Sequence, residues 1–494
     1  MMTTISKNTL IAAMLLTMTA LTSCSDFLNR EPTNSSNAED AIATTRDAEV
    51  AINGIMNKMS ASTYYGRNML LYADAKGGDL TIYANGRGND NLYTFNHTPT
   101  SGTYSGFWSQ IYDCVMQANN LIDNIDRLQA EGNTALNYYK GEALSLRALF
   151  YFDLVRLYGL PYNYNKTSYG VPLVLNTLDA SAQPERATVE ETYQQIVSDL
   201  TEGQKLMAND KSLHHGYLDY YGNLALQARV KLYMNDYDGA LKAAKEIIGS
   251  DKYELYEPEE WCASWSRQYG SESIFEIGID TQTDLETTSL GFYYMRYGQK
   301  KGAMGWFLAS DYFLNRLGAD ATDVRWGVMD NDEYWVDTNT ERKGACYKYM
   351  GGTNLDGDGK ETATAVNIKV IRLSEIYLIA AEAALHTGDS DAAATWLNKI
   401  RRRAPQLAPA TKDNVCDDMI MDERSKELFG EGQRFFDMMR TGRTVEYNDD
   451  FADVPVTHRT KTVDRTFGGI VLPIPQDEIN TNSAIAGQQN EYYK

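Results

Sequence analysis

Tyr83, Asn85 and Tyr93 lie in one stretch of the chain that has no helical periodicity, and Tyr293, Tyr294, Arg296, Trp306, Tyr334, Trp335 and Arg342 lie in another. Aromatic rings mixed with amide and guanidinium groups suit one kind of chemistry. The apolar C–H face of a sugar stacks on Trp or Tyr, while its hydroxyl rim hydrogen-bonds to Asn, Asp, Arg or Gln. Tyr83, Asn85, Tyr93, Tyr293, Tyr294, Arg296, Trp306 and Trp335 are therefore the candidate ligand-binding residues, with Tyr83, Tyr293, Tyr294, Trp306 and Trp335 expected on one exposed platform. The competing role for each ring is packing, because aromatics bury large areas whatever the function. The chain carries 34 Tyr beside 14 Phe and 7 Trp. Each buried phenol needs a hydrogen-bond partner, so this excess of hydroxyls points many rings toward water or a polar ligand.

Covalent and metal chemistry has less footing. The motifs G-x-S-x-G, H-E-x-x-H and G-x-x-x-x-G-K do not occur, which removes the common nucleophilic, zinc-protease and nucleotide signatures. There are five His, and His214 and His215 are adjacent, so they point to opposite sides of any regular element and read as surface residues. Asn354 to Gly359 matches the first half of a calcium loop, but the closing position is Ala365, which has no carboxylate; the segment reads as a turn. No catalytic residue, metal ligand or cofactor is assigned. An acid pair of glycosidase type could be drawn from the 67 Asp plus Glu, yet nothing singles one out. The same 67 carboxylates against 46 Lys plus Arg give a net charge of −21, which excludes a nucleic-acid binder working through a basic field.

The elements that must position the loops are helices. Phe107, Trp108, Ile111, Tyr112, Val115, Ala118, Ile122 and Ile125 form one apolar stripe over Tyr104–Leu128, and Ala143 to Leu157 forms another over Tyr138–Tyr158, ended by Gly159 and Pro161. Val189–Met207 is amphipathic and opens on Thr188 with Glu191 three residues on, a capping box. Ala228 and Ala240 flank Asn235-Asp236, as Ala380 and Ala392 flank Gly388-Asp389. Small residues at that spacing let two antiparallel helices approach closely, as in a tetratricopeptide hairpin. Val50–Met59 with Tyr104–Leu128, and Tyr138–Tyr158 with Val189–Met207, complete four expected helix pairs. Insertions at about 60–103 and 250–368 are rich in Gly, Tyr, Trp, Asn and Asp and contain short strands such as Ser273–Ile279. Such segments on a rigid scaffold are where binding residues sit. The chain returns to helix at Asp417–Arg440, where Glu423, Glu427, Arg434 and Arg440 are expected to pair along one side, and it finishes in an extended stretch, Ile470–Pro475. The fold class is mainly α, with tetratricopeptide-like pairs as scaffold and loop-rich insertions.

The amino terminus has its own logic. One charge, Lys7, precedes an apolar run from Leu10 to Leu16, too short to span a bilayer and shaped like an export signal. Leu21-Thr22-Ser23-Cys24 resembles a bacterial lipobox, whose cysteine is acylated and becomes the first mature residue. Residues 1–23 are thus a lipoprotein signal peptide, Cys24 is the lipidation site, 24–40 is a polar tether, and 41–494 is a single domain. Cys114, Cys262, Cys346 and Cys416 are widely spaced and suggest neither a zinc site nor a disulfide framework.

Taken together, several segments resemble the SusD/RagB family of nutrient-binding outer-membrane lipoproteins. They are Cys24 to Leu28 with Pro32, Arg147 to Leu154 through Tyr158-Gly159-Leu160-Pro161, Gly170 to Leu173, and Ile371 to Leu378 with Ala380 to Ala383. Further on come Asp422 to Arg424, Glu427-Leu428, Glu431-Gly432, Arg434, Asp437 and Arg440, then Leu472 to Pro475 and Gln489-Asn490 with Tyr492. Glu491-Tyr492 departs from the family's usual ending. The resemblance implies a SusD-like α-helical fold and a lipid-anchored protein facing the cell exterior, one that captures a glycan without cleaving it. It also implies a SusC-like TonB-dependent transporter as partner. A surface glycoside hydrolase and a helical-repeat adaptor for peptide or protein are the alternatives.

Overall fold

The computed structural model describes residues 42–82, 90–179, 181–280, 282–296, 305–332, 342–350, 364–447 and 461–494. Cys24, the tether, Tyr83, Asn85, Tyr334, Trp335 and the Asn354–Gly359 turn lie outside the described residues.

The expected helix pairs form. Helix α1 (Thr45–Met59) starts five residues earlier than its apolar pattern because Thr44 caps it: the Asp47 backbone N–H donates to Thr44 Oγ1, and the Asp47 carboxylate accepts the Thr44 N–H. After α2 (Asn68–Lys76), α1 packs on α3 (Gly102–Ala130), and α4 (Asn137–Tyr158) packs on α5 (Val189–Met207). Close approach of the second pair rests on glycines facing each other. A Cβ on Gly141 would stand 2.7 Å from the Gly203 carbonyl oxygen.

Helices α6 (Tyr220–Tyr233) and α7 (Tyr237–Ile248) form one hairpin, α8 (Leu373–His386) and α9 (Ser390–Arg401) a second, and α7 packs against α8 so that the hairpins stack. Both turns use a left-handed residue followed by an Asp cap: Asn235 at φ 60 with Asp236 accepting the Gly239 N–H, and Gly388 at φ 87 with Asp389 accepting the Ala392 N–H. Ala228, Ala240 and Ala380 are buried as their spacing predicts; in α9 the buried alanines are Ala393 and Ala394, and Ala392 sits half out.

Charged residues bind the helices to one another inside the core. Arg147 of α4 grips Asp199 of α5 through two hydrogen bonds of 2.7 and 2.8 Å, and Arg229 of α6 grips Glu375 of α8 at 2.8 and 2.5 Å. Both guanidiniums are buried. Such bidentate pairs repay desolvation only with this geometry, and removing one partner leaves a bare buried charge. Arg147 and Glu375, one from each clamp, belong to the segments that carry the family resemblance.

Two expectations change in the carboxy-terminal third. Asp417–Arg440 is not one helix but α10 (Asp417–Glu427) and α11 (Arg434–Arg440). Gly430 at φ +81 and Gly432 at φ +75 interrupt it, in a conformation other residues rarely adopt. A Cβ on Gly432 would also stand 2.8 Å from the Leu70 Cα. The acidic and basic residues accordingly do not pair along one side. Glu423 meets Arg325 at 2.6 Å, Glu427 accepts from Arg372 and Arg403, and Arg440 holds Glu382. Burial raises the Glu427 pKa, but Arg403, Arg372 and Arg325 overcome it and hold this carboxyl well below the usual range. The closing stretch is extended as expected, with Val471 at φ −107, ψ 152, and the Leu472 N–H donates to the Leu157 carbonyl at 2.8 Å and docks the tail on the end of α4.

Candidate functional site: a ribbon that joins the two insertions

Strand β1 (Leu80–Ile82) belongs to the first insertion and β3 (Phe307–Ala309) to the second, with β2 (Ser273–Ile277) between them in sequence. β1 and β3 pair antiparallel, with Leu80 opposite Ala309, Thr81 opposite Leu308 and Ile82 opposite Phe307. The ladder continues past the strands, since the Ser310 N–H donates to the Asp79 carbonyl at 2.8 Å. Backbone hydrogen bonding across more than two hundred residues of sequence thus brings the two loop-rich segments to one place. β2 pairs with β4 (Ile368–Arg372) in a separate two-stranded unit that closes the second insertion onto α8.

Trp306 sits at the end of β3 nearest Ile82 and is half-buried. Its indole meets the Tyr293 ring edge to face, centroids 5.1 Å apart at 73°. The Arg67 guanidinium lies 4.6 Å from the centroid of the Tyr293 ring and donates from Nη1 to Tyr293 Oη at 3.2 Å and to the Thr288 carbonyl at 3.0 Å. Burial depresses the pKa of Arg67. On the other side, Gly305 at φ +50 passes so close to Arg296 that a Cβ would stand 2.1 Å from its Cδ. The indole thus rests against a ring that Arg67 pins, and it stays half-buried.

The predicted platform divides under this geometry. Tyr93, Tyr293, Tyr294 and Arg296 are interior residues, which corrects the expectation of exposure. Tyr93 packs beneath β1, its hydroxyl 3.4 Å from Thr81 Oγ1. Tyr294 is fully enclosed beside Tyr349, and burial pushes its phenol well above the usual value. Tyr293 and Tyr294 are consecutive in a helical turn, Leu290–Tyr294, so their side chains diverge and cannot share one flat surface. Arg342 is likewise occupied, bound to Asp311, Asp332 and the Ala309 carbonyl. Trp306 is the predicted ring that keeps access to solvent among the described residues. Arg67, which orders Tyr293 beneath it, carried no pattern in the sequence beyond following Tyr64-Tyr65-Gly66.

Other aromatics behave as their stripes foretell or differ by degree. Trp108 is buried, whereas Trp396 is half out under the Lys245 ammonium. Trp326 is half-buried, its indole N–H 3.3 Å from the Asp320 carbonyl. Two clefts open elsewhere. One of about 510 Å³ lies by exposed Tyr169 and Tyr492, over a buried Arg186 that donates to four backbone carbonyls and to Asn490. The other, of about 400 Å³, lies by Tyr138, Tyr139 and Tyr217. Among the described residues no cluster of His, Cys, Asp and Glu could hold a metal ion, and no helix is long and apolar enough to cross a membrane.

Comparison with known proteins places this architecture. The SusD family pattern matches residues 201–493, and a second, described as starch-binding and associating with the outer membrane, matches residues 26–220. A SusD superfamily protein of Bacteroides thetaiotaomicron is 31% identical, with a TM-score of 0.81 over 91% of this chain and 100% of that one. The SusD-like protein P38 of Formosa agariphila is 24% identical over 87% of this chain and 91% of its own. A solved laminarin-binding SusD-like protein shares 22% identity, with a TM-score of 0.68 over 92% of this chain and 100% of that one. The chain belongs to the SusD family.

Proposed function

We propose that this protein binds an oligo- or polysaccharide without cleaving it and passes it to a TonB-dependent transporter of the SusC type, while Cys24 anchors it by lipid to the outer membrane with its bulk facing the cell exterior. The observation that carries the reading is the β1–β3 ribbon, which joins the two insertions beside a half-buried Trp306 in edge-to-face contact with Tyr293. An indole held against a pinned tyrosine offers a sugar ring a stacking surface that costs little ordering entropy. The starch-binding description of the second matching family and the laminarin-binding relative support a glycan as ligand. The family's stated association with the outer membrane supports the location. Tyr83, Asn85 and Trp335 complete the proposed contacts with Trp306, and Tyr93, Tyr293, Tyr294 and Arg296 support them from within.

A glycan array probed with the full-length protein tests the reading. Retention of a polysaccharide that is recovered at its original length supports it. Shortened products would indicate a glycosidase, and retention of peptides but no glycan would indicate an adaptor. Co-purification with a TonB-dependent barrel from outer membranes tests the partner.

A further inference from the structure

The cleft of about 400 Å³ beside Tyr138 is chemically unlike the ribbon end and shares no lining residue with it. Its walls come from three places: Glu49 on α1, Tyr138, Tyr139 and Glu142 on the first turns of α4, and Asp210, His214 and Tyr217 from the connection between α5 and α6. No lysine or arginine lines it. We propose that this cleft is a second binding site, selective for a protonated primary amine.

Glu142 points to the ligand. It is only 1% exposed, yet among the described residues no cation pairs with it. One oxygen accepts the Leu218 N–H at 3.2 Å, and among the described residues no group donates to the other. A buried carboxylate without a counter-ion is costly. Burial, with Asp219 and Glu49 nearby, pushes this acid up to about 8. A cation in the cleft would relieve that cost. A second acceptor waits beside it: the Tyr138 hydroxyl is buried and has no hydrogen-bond partner.

The remaining walls suit positive charge as well. The Tyr138 ring lies 5.2 Å from that of His214, centroid to centroid, and three phenol rings line the cleft, a ring type whose face attracts ammonium groups. Asp210 stands 3.4 Å from His214 Nε2, and the Tyr217 hydroxyl donates to Asn53 Oδ1 at 2.9 Å, leaving its ring as wall. Glu49 and Asp210 are exposed at the mouth, where they draw in cations and repel anions. The bare acceptors favour a primary amine over a quaternary one, because only the former has N–H groups to give Glu142 and Tyr138.

Isothermal titration of the full-length protein near neutral pH tests this with n-butylammonium, the neutral n-butanol and the quaternary tetramethylammonium. Saturable n-butylammonium binding is expected, at least roughly tenfold tighter than either control. Glu142→Gln and Tyr138→Phe should each weaken it by a similar factor while the circular-dichroism melt stays cooperative. Glu49→Gln alters an exposed position and should weaken binding severalfold, so it serves if Glu142→Gln does not fold. The proposal is overturned by absence of saturable n-butylammonium binding, by equal binding of n-butanol or tetramethylammonium, or by an affinity that none of the folded variants changes. A glycan affinity that survives these substitutions leaves the ribbon-end reading intact, so the two fail separately.

Discussion

The Trp306 indole and the Tyr293 ring meet edge to face, 5.1 Å between centroids, and the first is half-buried while the second is buried. The two rings touch but answer to different free energies. Trp306→Ala should weaken glycan binding about tenfold, in line with an aromatic anchor worth on the order of 1–2 kcal/mol, with a small change in melting temperature. Tyr293→Ala should first cost about 3–5 kcal/mol of stability. Paired melting and binding measurements check this. Loss of stability in Trp306→Ala with full affinity would remove Trp306 from the site.

Arg147 and Asp199 hold α4 to α5 with both partners buried. Arg147→Ala strands the Asp199 carboxylate and also frees Asn119 Oδ1 and the Leu175 carbonyl, both of which Arg147 binds. Urea denaturation should report a loss of about 3–5 kcal/mol for either single change. A double-mutant cycle should show strong coupling. Additive losses would mean that the pair contributes packing alone.

Asp74 and Glu142 should each make stability fall as pH rises from about 5 to about 8, against His97, which burial holds well below its usual value and which works the other way at the acid end of that window. Burial raises Asp74 to about 7 and Glu142 to about 8, against ordinary values of 3.8 and 4.5. Between the ordinary and raised values the folded state binds more protons than the unfolded state, so each group favours folding at low pH and loses that advantage as pH climbs through the folded value. The slope is about 1.4 kcal/mol per pH unit for each group fully engaged. Glu142→Gln should flatten the upper part of a melting-temperature profile, and a profile with unchanged slope in that variant would contradict the assignment.

Cys24→Ala should leave folding intact and release the protein from membranes. Two or three acyl chains, at about 0.8 kcal/mol per buried CH₂, supply the anchor. Pelleting of the variant with membranes at the wild-type level would show another attachment.

Local order was legible in the chain itself. The capping pair Thr188 with Glu191, the Asp236 and Asp389 turns and the apolar stripes act over one or two helical turns, so neighbouring residues suffice to specify them. The ordered motifs around Arg147, Arg372 and Glu427 carried the family because each supplies a charge that a helix scaffold must neutralise internally. Tertiary structure decided what depends on distant partners. Tyr93, Tyr294 and Trp306 look alike in sequence, yet the pairing of Ile82 with Phe307 and the enclosure around Tyr349 put two of them inside and leave one half-exposed. Glu142 looked like any solvated carboxylate on α4 until α1 and the connection before α6 closed over it, and no local pattern could announce that, because burial is set by what packs against a residue rather than by the residues beside it.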